Sequence, residues 1–159
     1  MTFHLTSLEE IPHVAKQFLD EYGHNTVFAF DGEMGAGKTT FISGLLNAMG
    51  IHELEGSPTY SLVNVYDSAM FGKIYHFDVY RLKSEEEAYD IGIEEMLYGG
   101  GVCFIEWPEK TPNLIPIDHA SIWIKILPNG KIFGEFFCVG RKKNASFTEL
   151  EPVAAKIIQ

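Results

Sequence analysis

Apolar positions along the chain follow two periods, and each marks a different element. Thr26 to Asp31, TVFAFD, is a short apolar run with β-branched and aromatic residues, the pattern of a buried strand. Leu62, Val63, Val65 and Tyr66 mark another strand after the turn at Gly56-Ser57-Pro58. KIYHFDVYRL, Lys73 to Leu82, reads as a strand of strong aromatic and β-branched character, and VCFIEW, Val102 to Trp107, as a further buried one. SIWIKIL and KIFGEFFCV are separated by PNG, where Asn129-Gly130 supplies positive φ, and the arrangement predicts a β-hairpin.

Helical spacing fills the intervals. SLEE, Ser7 to Glu10, has the spacing of a capping box, yet Pro12 stands where a helix opened at Ser7 would need an N–H; a helix from near Ile11 to Tyr22 or Gly23 resolves the conflict. An amphipathic helix follows TVFAFD and ends near Gly50. SEEE, Ser84 to Glu87, repeats the capping-box spacing and opens a helix that ends before Gly99 to Gly101, and the tail FTELEPVAAKIIQ is expected to form a closing helix. Together these elements predict an α/β fold with a mixed central sheet flanked by helices, part of it antiparallel because of the late hairpin. No repeat or long linker interrupts residues 1–159, which are expected to form a single domain.

Charge narrows the partners. Twelve Lys and Arg against 22 Asp and Glu leave a formal net charge of −10, which repels RNA and anionic membranes, so tight nucleic-acid binding by the chain alone is disfavoured. Cys103 and Cys138 lie inside apolar runs without metal-ligand spacing and read as buried reduced thiols. The N-terminus has no basic segment leading into an apolar one, and no run approaches a membrane span, so a soluble cytoplasmic protein is expected. In that setting the sequon Asn144 to Ser146 is a chance match.

The chemistry concentrates at GEMGAGKT, Gly32 to Thr39, which matches G-x-x-x-x-G-K-[ST] between a predicted buried strand and a predicted helix. At ordinary residue frequencies such a match arises by accident in on the order of one chain of this size in a hundred. Gly35 and Gly37 allow successive N–H groups to turn inward as an anion nest. Lys38 reaches the β- and γ-phosphates, the Thr39 hydroxyl suits Mg²⁺, and Thr40 is next toward the α-phosphate; the helix adds its positive end. Gly32, Met34, Gly35, Ala36, Gly37, Lys38, Thr39 and Thr40 form the candidate cradle for a nucleoside triphosphate with Mg²⁺.

Such a loop needs a carboxylate on the metal side and a group that senses the γ-phosphate. Asp78 and Glu106 end their strands, and each is suited to bind Mg²⁺ directly, through water, or to orient an attacking water. The SPTYS turn offers Ser57, Thr59 and Tyr60 as a γ-phosphate sensor, with Thr59 equally a turn-stabilising hydroxyl. Trp107 contacts the nucleotide or packs, and His76, in an aromatic strand, reads as a core or supporting histidine rather than a base.

Four motifs together, GEMGAGKTTF, SPTYSLV, YHFDVYRL and IEWPE, stand in the order and spacing of the bacterial TsaE (YjeE) family, which the chain resembles over about Phe28 to Glu109. The resemblance implies an ATP- and Mg²⁺-binding ATPase that joins the TsaD and TsaB proteins. It supports threonylcarbamoyl transfer onto the adenosine beside the anticodon, with the tRNA held by the partners. It also implies that Lys38, Thr39, Asp78 and Glu106 serve nucleotide and metal, that Thr59 lies on a switch-like loop, and that Trp107 lies close to the nucleotide. Glu33-Met34 stands where the family more often has Asp-Leu, and Ile11-Pro12 where a Thr facing the adenine would be sought, with Thr6 and Ser7 nearby. The net charge of −10 suits a subunit whose partners hold the tRNA, and the acidic stretch SEEEAYDIGIEEML is a docking face or a solvated one.

Two other classes share the loop. A small-molecule kinase would surround the transferred phosphoryl with several arginines, whereas Arg81 is the only one in the motif region; a guanine-nucleotide switch would carry N-K-x-D, which the chain lacks.

Overall fold

The computed structural model describes residues 2–23, 25–58, 60–128 and 132–139, the last of these by backbone alone. Seven strands form one mixed sheet: β1 (Thr2–Leu5), β2 (Val27–Asp31), β3 (Val63–Ser68), β4 (Gly72–Asp78), β5 (Val102–Glu106), β6 (His119–Ile126) and β7 (Ile132–Val139). Their order across the sheet is β1-β7-β6-β2-β5-β4-β3. The inner strands β6, β2, β5 and β4 run parallel, while the β3–β4, β6–β7 and β1–β7 pairs are antiparallel.

Alternation along each strand sorts side chains onto two faces, and each face has its own helices. From β2, Phe28 and Phe30 join Phe104 beneath α1 (Ile11–Tyr22) and α2 (Lys38–Ala48). Val27 and Ala29 point the other way and join Phe77, Cys103 and Ile105 against α3 (Glu85–Asp90) and α4 (Ile93–Tyr98). The first face is aromatic, with Phe18 and Phe28 ring centroids 5.4 Å apart and Phe28 and Phe104 likewise 5.4 Å apart. Burial of this size dominates the favourable side of folding. α1 crosses α2 where Gly44 has no side chain, and Ile11 fills the space.

Several expectations need correction. β1 was not legible: its four residues bury Phe3 and Leu5 by pairing with β7, too short a stretch for alternation to stand out. α1 runs from Ile11 to Tyr22 as expected, with Pro12 in its first turn, and what the sequence did not separate is the single 3₁₀ turn Leu8–Glu10 before it, over which the Ser7 capping box forms. The strand expected through Leu82 stops at Asp78, where the Asp78 carboxylate accepts the Tyr80 N–H at 3.1 Å and turns the chain out of the sheet.

The single helix expected after Ser84 is two short ones, broken at Gly92 with φ 80°. Ser84 makes no side-chain cap; Glu85 instead accepts the N–H groups of Asn113 at 2.7 Å and Leu114 at 3.1 Å, tying α3 to a distant loop. The hairpin strands pair as expected, while their turn at Asn129-Gly130, the sequon and the tail from Phe147 lie outside the described residues. No helix among the described residues is long and apolar enough to cross a membrane. Cys103 is buried and free, and burial pushes its thiol up to about 12, which makes it inert; the side chain of Cys138 lies outside the description.

Candidate functional site

Strand parity assembles the site. Ile74, Val102 and Phe104 pack on the α2 side of the sheet, so His76 and Asp78, two and four positions on from Ile74, and Glu106, two on from Phe104, fall on the same face. Asp78 and Glu106 are register partners. α2 starts at Lys38 directly after the glycine loop, so its first turn meets the carboxylate ends of both strands.

The loop takes the conformation its glycines allow: Gly35 and Gly37 have φ of 78° and 96°, and Gly37 is the residue that opens α2. Met34 is 68% exposed at the loop's crest, Gly35 and Thr40 are exposed, and Ala36 is buried. Lys38 is buried beneath the loop, where its ammonium donates to the Gly32 carbonyl at 2.6 Å and sits 3.4 Å from the centre of the Trp107 ring. Burial holds its pKa below the ordinary lysine value, a shift opposed by the carboxylates of Glu106, Glu109, Asp31 and Asp78.

Thr39 donates its hydroxyl to Glu106 Oε1 at 2.9 Å. The other oxygen of Glu106, Oε2, lies 2.7 Å from His76 Nε2, and both residues are buried. Asp78 is held differently: Ser57 donates to its Oδ2 at 2.7 Å and the Tyr80 N–H to its Oδ1 at 3.1 Å. The loop carrying Ser57 is pinned by buried Asn64, whose amide donates to the Gly56 carbonyl at 2.9 Å. Thr59 lies outside the described residues. Lys38, Thr39, Asp78, Glu106 and Trp107 are therefore brought together.

Two bulky residues take left-handed backbone next to these groups, Leu62 with φ 68° and Trp107 with φ 62°. Such conformations cost on the order of 1 to 3 kcal/mol and persist where the surroundings enforce them. At Trp107 the enforced turn lays the indole against Lys38 and against the Tyr80 ring, 4.8 Å away.

Three more side chains belong to this site. His76 takes the supporting role that the sequence left open beside a core one, and parity puts it on the site face, two residues before Asp78. Ser57, one of the hydroxyls the SPTYS turn offers as a sensor, donates to Asp78 across 21 positions, a link no local pattern reports. Asp31, the last residue of β2, faces the opposite side from Phe30 and forms a carboxyl pair with Glu109; burial and the Glu109 charge push it up to about 6, against the pull of Lys38. Nearby, a cleft of about 380 Å³ runs between the loop and β6, lined by Gly32, Met34, Trp107, Glu109, Trp123 and Lys125.

Among the described residues no three His, Cys, Asp or Glu gather to hold a metal unaided. The oxygens of Thr39 and Glu106 are hard donors of the kind Mg²⁺ takes when phosphate and water complete its shell, so the residues present fit that ion.

A glycine loop between a central parallel strand and a helix, with its lysine buried beneath it and its threonine bonded to a carboxylate on the neighbouring strand, defines an α/β protein of the P-loop type. Within that class the chain belongs to the TsaE family, whose model, described as threonylcarbamoyl adenosine biosynthesis protein TsaE, matches residues 5–131. It is similar to the tRNA threonylcarbamoyladenosine biosynthesis protein TsaE of Bacillus subtilis, 32% identical over 89% of this chain and 88% of that one. The protein of the same description from Rickettsia typhi is 35% identical over 90% of this chain and 96% of its own. A crystal structure of Bacillus subtilis YdiB superposes with a TM-score of 0.71 at 25% identity, covering 100% of this chain and 96% of that one.

Proposed function

We propose that this chain, acting as one domain, is the ATP-binding and ATP-hydrolysing subunit of a system that adds threonylcarbamoyl to the adenosine beside the anticodon of tRNA. It works with the TsaD and TsaB proteins in the cytoplasm, and tRNA is engaged only through those partners. The observation that carries the reading is the 2.9 Å bond from the P-loop threonine, Thr39, to the strand carboxylate Glu106, which sets two oxygens for a phosphate-bound cation at the foot of the loop. The family to which the chain belongs, and the description its relatives carry, supply the substrate class.

In this reading the loop from Gly32 to Gly37 cradles the phosphates with backbone N–H groups, and Lys38 leaves the Gly32 carbonyl to meet the β- and γ-phosphates. Thr39 and Glu106 are the residues that would hold Mg²⁺, and Asp78, register partner of Glu106, would be the second carboxylate on the metal side. An ion held there would supply charge neutralisation at the phosphates. Thr40 faces the α-phosphate, Thr59 senses the γ-phosphate, and Trp107 covers the phosphate side. Hydrolysis by the isolated chain is slow, because Arg81, the one arginine among the described residues, stacks on the Tyr60 ring at 4.2 Å and an accelerating group has to come from a partner.

The test is the yield of threonylcarbamoyladenosine on substrate tRNA in excess over enzyme. Purified TsaD, TsaB, ATP and the threonylcarbamoyl-adenylate donor are combined with this protein, with its Lys38→Ala variant, or with neither. Repeated turnover with the unmodified protein alone is expected; equal yields in all three mixtures would overturn the reading.

A further inference from the structure

His76 is a buried imidazole on the sheet face that carries both candidate carboxylates, and none of the roles above uses it. Alternation places it one pleat before Asp78, and its register partner on β5 is Phe104. From there Nε2 reaches along β5 to the next side chain on that face, Glu106, and lies 2.7 Å from Oε2. Both residues are 2% exposed. An ionised carboxylate has no hydrogen to give, so this contact requires the proton on Nε2 and makes the histidine the donor. Ile74 and Phe104, on the same face, are likewise fully buried.

We propose that His76 is a positioning residue for Glu106: it occupies Oε2, fixes the plane of the carboxylate, and leaves Oε1 turned toward the Thr39 hydroxyl. The inference rests on the reading of Glu106 and Thr39 as the metal-side pair. A glutamate side chain has three torsions, and a buried carboxylate with one oxygen unpaired swings toward whatever donor is near. Lys38 is such a donor, and its ammonium is needed at the phosphates. A charge-assisted bond in a dry setting is strong enough to hold the carboxylate away from it. The device is the same in kind as the histidine–carboxylate pairs that orient metal ligands elsewhere, whose loss lowers metal affinity or activity about 10- to 100-fold.

Two variants and one spectrum test this. His76→Phe keeps a flat ring of similar size and loses the donor, while His76→Gln keeps an amide N–H near the position of Nε2. Hydrolysis is followed across a Mg²⁺ titration with TsaD and TsaB present, affinity for a fluorescent ATP analogue is measured in EDTA, and thermal melts report folding. The Phe variant is expected to bind the analogue as the wild type does, to hydrolyse ATP about 10- to 100-fold more slowly, and to need more Mg²⁺. The Gln variant is expected to recover most of the rate.

Independently of activity, imidazole ¹⁵N–¹H spectra of the nucleotide-free protein should contain one Nε2–H in slow exchange with water that moves in Glu106→Gln. A folded Phe variant with wild-type rate and wild-type Mg²⁺ requirement overturns the proposal, as does a Gln variant that falls as far as Phe. Should the Phe variant not fold, the Gln variant and the spectrum decide. If the wild type itself neither binds nor hydrolyses ATP, the functional reading has failed, and the spectrum alone judges the pairing.

Discussion

Asp78 and Glu106 stand opposite one another as register partners on adjacent parallel strands, yet their carboxylates answer to different parts of the protein. Glu106 is held from within the fold, by His76 of the sheet and Thr39 of the P-loop helix. Asp78 is held from outside it, by Ser57 on the loop after α2 and by the N–H of Tyr80 where the chain leaves β4. One carboxylate is therefore fixed to the sheet, while the other shares its oxygens with segments whose position it also sets. This division suits a site in which one acid anchors a cation and the other registers what the loop is doing.

Glu106→Gln separates charge from shape at the fixed position. The amide oxygen still accepts from Thr39, so the fold and the phosphate cradle persist, but a hard cation loses its negative ligand. Affinity for an ATP analogue in EDTA is expected to stay within about twofold, and hydrolysis in the assembled complex to fall about 10- to 100-fold. Stopped assays of phosphate release beside equilibrium titrations would show it. An unchanged rate would place the essential acid elsewhere.

Lys38 offers a contrast between stability and function. Its ammonium is buried beside Trp107, with its pKa held down by burial. Burial outweighs the attraction of the surrounding carboxylates, so the charged form costs stability, and an apolar chain of similar length removes that cost. Lys38→Met is accordingly expected to melt at or above the wild-type temperature without nucleotide, and to lose the upward shift that ATP gives the wild type through mass action. Differential scanning calorimetry with and without ATP checks both halves. A variant destabilised without ligand would mean that the bond to Gly32 supports the fold.

The crossing of α1 and α2 yields a prediction of stability alone. Ala is a better helix former than Gly by about 1 kcal/mol, but a methyl at position 44 would collide with Cγ2 of Ile11. Overpacking of this kind costs about 1 to 3 kcal/mol, so Gly44→Ala should destabilise the protein in urea unfolding. In an Ile11→Ala background the collision disappears, and the same substitution should turn stabilising. Additive effects would refute the contact as its cause.

What was legible in the sequence follows the range of the forces involved. The P-loop, β2 and the onset of α2 were readable because glycine conformation, apolar runs and helix ends act over a few residues. Glu106 was readable because it ends such a run. The pairs that give the site its shape, Ser57 with Asp78 and His76 with Glu106, join separate elements and become visible only through register. Ser84 shows the reverse failure: its local capping signal was correct in spacing, but Glu85 bonds to the loop at Asn113, a tertiary contact no spacing rule contains. β1 was missed because its burial depends on β7, more than a hundred residues away.

Asp31 supplies a pH dependence whose sign is fixed by its surroundings. Burial and the neighbouring Glu109 raise its carboxyl to about 6, whereas an unfolded chain returns it to the ordinary value near 3.9. Between those values the folded protein holds the proton and the unfolded chain does not, so this group's contribution to stability is fully present below about pH 4 and is lost as pH rises through about 6. Above that, the folded protein carries an ionised Asp31 pressed against Glu109, with only partial relief from Lys38. Asp31→Asn removes the charge while keeping the size. The variant should gain stability over the wild type at pH 7.5 by on the order of 1 kcal/mol once solvent screening is allowed for, or about 2 to 4 °C in melting temperature, with a smaller difference at pH 5. Paired melts of the two proteins across that range, read as their difference, cancel the titration of groups not coupled to Asp31. A gap that shrinks with rising pH would mean that Asp31 is ionised and well partnered in the fold, and that Lys38 rather than Glu109 governs it.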